Sequence, residues 1–159
     1  MKTTFLFLLI LLVVSFSYSQ DVVGKWTGYY KYDGGKNQNP FTIEFLENKG
    51  KIVAFTRTEF KIENQQFYSV CSARVKVLKD NFGIKIIVTE YKFHTGNAPK
   101  LARGCFQEHT LLFTSKDKTD FLSGFWKTAN KINNCGSGST LLERDSESKA
   151  APKATVNQN

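Results

Sequence analysis

From Val22 to Arg144 the chain runs as short stretches of alternating apolar and polar residues, each closed by turn formers. This pattern directs it to antiparallel β structure. Eight strands are expected: Val22 to Tyr32, Phe41 to Glu47, Lys51 to Phe60, Phe67 to Lys79, Phe82 to Phe93, Cys105 to Ser115, Asp120 to Thr128 and Ser139 to Arg144. Phe41, Ile43 and Phe45 interleave with Thr42 and Glu44, and Val75 and Val77 with Arg74 and Lys76. Ile84 to Val88 is more continuously apolar, as a strand covered on both faces would be. Between the strands stand breakers such as Asp33-Gly34-Gly35, Asn48-Lys49-Gly50, Lys79-Asp80-Asn81, Gly96-Asn97-Ala98-Pro99 and Gly136-Ser137-Gly138. Composition agrees, with 14 Phe against 3 Pro.

Each segment follows the last by a hairpin-length connection, so the expected order is a meander. An even number of antiparallel strands lets the first pair with the last and removes both exposed edges. The expected fold is therefore all-β, an eight-stranded antiparallel up-and-down β-barrel without a major helix. A sandwich of six or seven strands is the rival, and it usually needs longer Greek-key crossings.

The flanks read differently. Lys2 followed by the apolar run Phe5 to Val14, with small residues at Ser17 and Ser19, reads as a signal peptide over residues 1–19, cleaved before Gln20. That run is shorter than the roughly 20 residues a spanning helix needs. No membrane span is expected in the mature chain, whose compartment would be periplasmic or secreted. Residues 20–145 form the barrel domain, and residues 146–159, polar and small, read as a disordered tail.

The chain carries a net charge of +8, from 22 Lys and Arg against 14 Asp and Glu. Lys25, Lys31, Lys61, Lys76, Lys79, Lys85, Lys116 and Lys118 are scattered over expected strand exteriors and turns. A nucleic-acid surface needs its basic residues gathered on one face, so no nucleic-acid partner is expected.

Gly24-Lys25-Trp26 opens the first strand and Leu142-Glu143-Arg144 ends the last. With hairpin-linked strands between them, these motifs resemble the calycin superfamily, which includes the lipocalins. The resemblance implies that Trp26 lies at the closed end of the barrel with Arg144 packed across it, a structural plug. Trp26-Thr27-Gly28-Tyr29 and Leu122-Ser123-Gly124 are similar to segments of small exported lipocalin-like proteins of Bacteroidetes-type bacteria. No helical segment follows the last strand, and the second and third lipocalin motifs are not recognisable.

Along the meander, the connections at Asp33 to Pro40, Lys61 to Gln66, His94 to Gly104 and Ala129 to Gly138 fall at one end. The opposite end receives short turns. The long connections mark a mouth, where binding residues concentrate. All three cysteines map near it. In an exported protein, Cys105 with Cys135 is the preferred disulfide and leaves Cys71 as a buried thiol; Cys71 with Cys105 is the alternative.

The expected lumen and rim set for a small hydrophobic molecule is Tyr30, Phe41, Phe45, Phe60, Phe67, Phe106, Glu108, Phe125 and Lys127. Glu90 and Glu108 share inward parity in this reading, either as a carboxyl pair or paired with Lys127 or Lys92. No catalytic constellation is recognised, and His109 reads as a satisfied surface or core histidine. No cofactor and no metal are expected, His94 and His109 being weak support for a metal site. Three functions stay open: a carrier of a small apolar or amphipathic ligand, a protein-interaction or inhibitor module using the loop Asn97 to Arg103, and an envelope component with a filled core.

Overall fold

The computed structural model describes residues 22–81, 83–130 and 135–146. The expected leader at 1–19 and all but Ser146 of the expected tail lie outside these residues. Eight strands form one closed barrel in sequence order: β1 (Gly24–Tyr32), β2 (Asn39–Asn48), β3 (Lys51–Ile62), β4 (Gln65–Asp80), β5 (Gly83–Gly96), β6 (Gln107–Lys116), β7 (Thr119–Thr128) and β8 (Ser137–Arg144). Every neighbouring pair is antiparallel, and β1 closes on β8 from Trp26 opposite Arg144 to Tyr32 opposite Gly138. The up-and-down barrel expected from the alternation is present. A short 3₁₀ turn, Ala102–Gly104, lies in the connection from β5 to β6.

Three hairpins turn on residue pairs in which both members have positive φ: Lys49-Gly50, Glu63-Asn64 and Asp117-Lys118. That is the backbone of the tight two-residue hairpin, whose twist matches the flanking strands. One of them corrects the loop reading. Lys61 to Gln66 is no long mouth loop; β3 and β4 run on to Ile62 and from Gln65, and Glu63-Asn64 alone make the turn.

Trp26, Ile43, Phe45, Ala54, Ala73, Ile86, Val88, Leu111, Leu122 and Leu142 are buried within one apolar cluster inside the barrel, with Val22 below them. The closed end is held by Arg144. Its guanidinium lies 4.4 Å from the centre of the Trp26 ring, Nη1 donates to the Val23 carbonyl at 3.0 Å, and Nε stands 3.1 Å from Asp120 Oδ2. Trp26 Nε1 donates to the Val22 carbonyl at 3.0 Å, and Phe113 meets the indole edge-on. A cation over an indole gains about 0.5–2 kcal/mol, more where water is excluded. The plug implied by the motifs therefore exists as a contact.

At the mouth, Cys105 and Cys135 form a disulfide with Cα atoms 5.8 Å apart. Cys105 stands before β6 and Cys135 before β8, so loop backbone rather than strand closes the gap between second-neighbour strands. Cys71 is free and buried, and the alternative pairing is not formed.

Candidate functional site

The mouth half of the lumen holds a cavity of about 290 Å³. Its aromatic wall comes from Tyr30 and Tyr32 on β1 and Phe60 on β3. Thr58 on β3, Ser69 on β4, Glu90 on β5 and Gln107 on β6 supply polar groups. Ala102 and the Cys105–Cys135 disulfide cover part of the opening. The connection carrying Ala102 is tied down: Asn97 Oδ1 accepts the Tyr68 N–H at 2.8 Å, and Arg103 Nε donates to the Ala98 carbonyl at 2.7 Å. Arg103 also packs over the Phe93 ring.

Glu90, 4% exposed, is the ionisable carboxyl group among the described residues of the cavity wall. Its Oε2 accepts the Gln107 backbone N–H at 2.8 Å, and its Oε1 accepts the Thr56 hydroxyl. Burial pushes its pKa up from 4.5 to about 7, against those two hydrogen bonds, which favour the anion. Strand alternation explains the placement, with Ile86, Val88 and Glu90 the buried alternate residues of β5, and the strand becomes irregular just after it. The β4–β5 ladder shifts register on either side of the Cys71 and Ser72 positions, so that Tyr91 and His94 are inserted residues of β5. Bulges of this kind bend a strand and re-aim its side chains.

His109 lies one inward position below Gln107 on β6, fully buried and stacked on Phe41 with ring centres 4.5 Å apart. Nε2 is 3.0 Å from Gln107 Oε1 and Nδ1 is 3.0 Å from Thr140 Oγ1. An amide oxygen can only accept, so Nε2 carries the proton and Nδ1 accepts the Thr140 hydroxyl. Burial lowers the imidazole pKa to about 3 and keeps it neutral. Cys71 is pushed up to about 12 by burial and then by Glu90, and Tyr30 is raised above its ordinary value, mainly by burial. This is a lumen in which neutral forms are favoured.

The expected ligand set divides. Tyr30 and Phe60 line the cavity, and Phe67 stacks behind Phe60 with ring centres 5.9 Å apart. Phe41 and Phe45 lie deeper, Phe41 under His109 and Phe45 in the packed core. Phe106 is half-buried ahead of β6 and does not line the cavity. Three expectations are corrected. Phe125 is 74% exposed on the outer wall, and Glu108 and Lys127 pair with each other at 3.2 Å, outside the cavity lining. The cause is parity. Gln107, His109 and Leu111 of β6 and Asp120, Leu122 and Trp126 of β7 are the buried residues, one position out of step with the reading that put Glu108 and Phe125 inside. A slip of one residue exchanges the two faces of a strand. Glu90 does face inward, but without Glu108, Lys127 or Lys92 beside it in the cavity wall.

Gln107 and Tyr32 were not expected in the wall, nor Trp126 behind it. Trp126 Nε1 donates to the Lys31 carbonyl at 2.9 Å, and its ring meets Tyr32 and Tyr30 edge-on at 5.1 and 5.6 Å. The signal for it was Gly138. A Cβ on Gly138 would meet the Lys31 carbonyl at 1.7 Å and Trp126 Nε1 at 2.7 Å, so the indole needs glycine there.

No group of three or more His, Cys, Asp and Glu side chains that could hold a metal ion occurs among the described residues. No helix among them is long and apolar enough to cross a membrane. The closed eight-stranded antiparallel barrel is consistent with a calycin-like fold. No family model, curated protein or solved structure matches the chain.

Proposed function

We propose that the chain is an exported, lipocalin-like binding protein that carries a small apolar or amphipathic molecule in the mouth half of its barrel, without catalysis. One observation carries this reading: a cavity of about 290 Å³ with aromatic walls stands above a base that is packed and plugged. Its volume is near the ~300 Å³ lower end of small-molecule sites, which are mostly apolar with a few placed polar groups. Export is supported by the apolar leader and by the Cys105–Cys135 disulfide, a bond that persists in oxidising compartments. Thermal unfolding with a panel of one-ring apolar and amphipathic compounds tests it. A compound that binds only the folded barrel raises the melting temperature, with a stabilisation that grows as the logarithm of its excess over Kd. A panel without any shift contradicts the reading and favours the filled-core alternative.

The interaction-module reading has an observation of its own. Leu101, at the tip of the tied-down β5–β6 connection, is 90% exposed. Leu101→Ser leaves the anchors Asn97 and Arg103 in place. If it abolishes capture of a partner from the native source while ligand shifts persist, the loop and not the lumen is the functional element.

A further inference from the structure

The cavity wall has an uneven chemistry. Among the described residues it presents one carboxyl group, Glu90, and no Lys, Arg or His. Resting on the lumenal-binding reading, we propose that the ligand is a small organic amine, bound as its cation against the Glu90 carboxylate with its apolar body among Tyr30, Tyr32 and Phe60.

Four arguments lead there. A carboxylate accepts about four hydrogen bonds, and Thr56 and Gln107 supply two, so Glu90 has capacity for further donors. An ammonium group offers up to three donors together with the opposite charge. A fatty-acid-like anion would instead bring a second carboxylate beside Glu90, with no cation among the described wall residues to offset it, and a charge buried that way is costly. A wholly apolar guest would take water from Glu90 and return no hydrogen bond.

The aromatic walls add to the preference. A cation within about 6 Å of a Tyr or Phe face gains on the order of 0.5–2 kcal/mol. The chain's net charge of +8 repels cations in bulk, so selection for an amine must come from this local group. The volume of about 290 Å³ suits a one-ring amine.

The proposal has a proton signature. The titratable groups facing Glu90 are Tyr30 and Tyr32 from β1, Cys71 from β4 and His109 beneath Gln107 on β6; β3 contributes only threonines there. With Tyr30 and Cys71 raised and His109 lowered, none of these three changes charge between pH 6 and 8. Glu90, pushed up to about 7, does. An ammonium ligand binds the ionised carboxylate, so binding releases a proton and weakens about tenfold from pH 8 to pH 6.

The test is calorimetric titration of the full chain, wild type and Glu90→Gln, with 2-phenylethylamine, 2-phenylethanol and 3-phenylpropionate at pH 8 and 6. The amine is expected to bind wild type at least tenfold more tightly than the alcohol at pH 8, to lose about tenfold at pH 6, and to lose its advantage in Glu90→Gln. The propionate is expected to bind most weakly. An alcohol or propionate that binds as well as the amine overturns the amine assignment and leaves the lumenal reading standing. Failure of all three to bind overturns both. Should Glu90→Gln not fold, the wild-type contrasts decide: an amine preference that does not weaken at pH 6 overturns Glu90 as the anchor.

Discussion

Glu90 on β5 accepts the backbone N–H of Gln107 on β6 at 2.8 Å, at the point where the β5–β6 ladder has ended with Thr89 opposite Glu108. A side-chain carboxylate thus stands in for the next ladder carbonyl. The carboxyl is held in the lumen by the backbone of its neighbouring strand, and the mouth-end gap between these strands is bridged by the one acidic group among the described residues of the cavity wall.

Glu90 should make the barrel less stable as pH rises. Its folded pKa of about 7 lies above the ordinary 4.5, so the folded state holds its proton more tightly. The resulting stability is complete below about pH 4.5 and is lost as pH rises through about 7, a difference of about 3 kcal/mol. Urea unfolding of wild type and Glu90→Gln across pH 4 to 8 checks this. The difference between the two curves should fall over that window, and parallel curves would refute it.

His109 acts with the opposite sign. Its folded pKa of about 3 lies below the ordinary 6.5, so its contribution is present above pH 6.5 and lost as pH falls toward 3. Between about pH 4.5 and 6.5 the two groups oppose each other and their slopes largely cancel. His109→Gln should flatten the acid limb while costing about 1–3 kcal/mol at pH 7 from disturbed hydrogen bonds to Gln107 and Thr140. An acid limb unchanged in the variant would show that other groups drive acid unfolding.

Arg144→Met keeps the aliphatic stem but removes the Asp120 ion pair, the bond to Val23 and the contact with Trp26. A loss of about 3–5 kcal/mol is expected, because one half of a buried ion pair is taken away. Ligand titrations on the folded fraction should be unchanged, since the plug lies at the opposite end from the cavity. A fall in affinity without a fall in stability would contradict its structural role.

The Cys105–Cys135 bridge spans 30 residues, for which loop-closure entropy gives about 3–4 kcal/mol. Reduction, or the Cys105→Ser and Cys135→Ser double variant, should lower the melting temperature and loosen the mouth. Hydrogen exchange should rise near Ala102 more than at Leu142 in the packed base. Uniform exchange changes would argue against a role for the disulfide in shaping the opening.

Phe125 and Trp126 are adjacent and opposite. Trp126→Ala should cost about 3–5 kcal/mol, and Phe125→Ser less than about 1 kcal/mol, because Trp126 is 2% exposed and Phe125 is 74% exposed. Comparable losses, read by denaturant unfolding, would reverse the assignment of faces.

That pair also shows how far the sequence could be read. Alternation and turn residues specify all eight strands, because a period of two and its breakers are local properties. The closed end was legible as well, through Trp26 and Arg144. The faces of β6 and β7 were not: Phe121, Leu122, Phe125 and Trp126 place large apolar groups on both sides, so hydrophobicity alone cannot choose the parity. The mouth was read only in part: Glu90 follows from the alternation of Ile86, Val88 and Glu90, whereas Gln107 depends on where β6 begins, which is settled by pairing between distant segments. Glu63-Asn64 reads as part of a loop because the polar run from Glu63 to Gln66 hides where the two strands end.

The central claim is that the mouth cavity binds a small molecule, and blocking that cavity tests it most directly. Ser69 lines it, and Ser69→Phe places a ring in the space. Titration of 2-phenylethylamine into wild type and Ser69→Phe, both confirmed as folded, should give saturable one-to-one binding in wild type and at least a tenfold loss in the variant. Equal affinity in the two proteins, or no binding of 2-phenylethylamine, 2-phenylethanol or 3-phenylpropionate to wild type, would contradict the account.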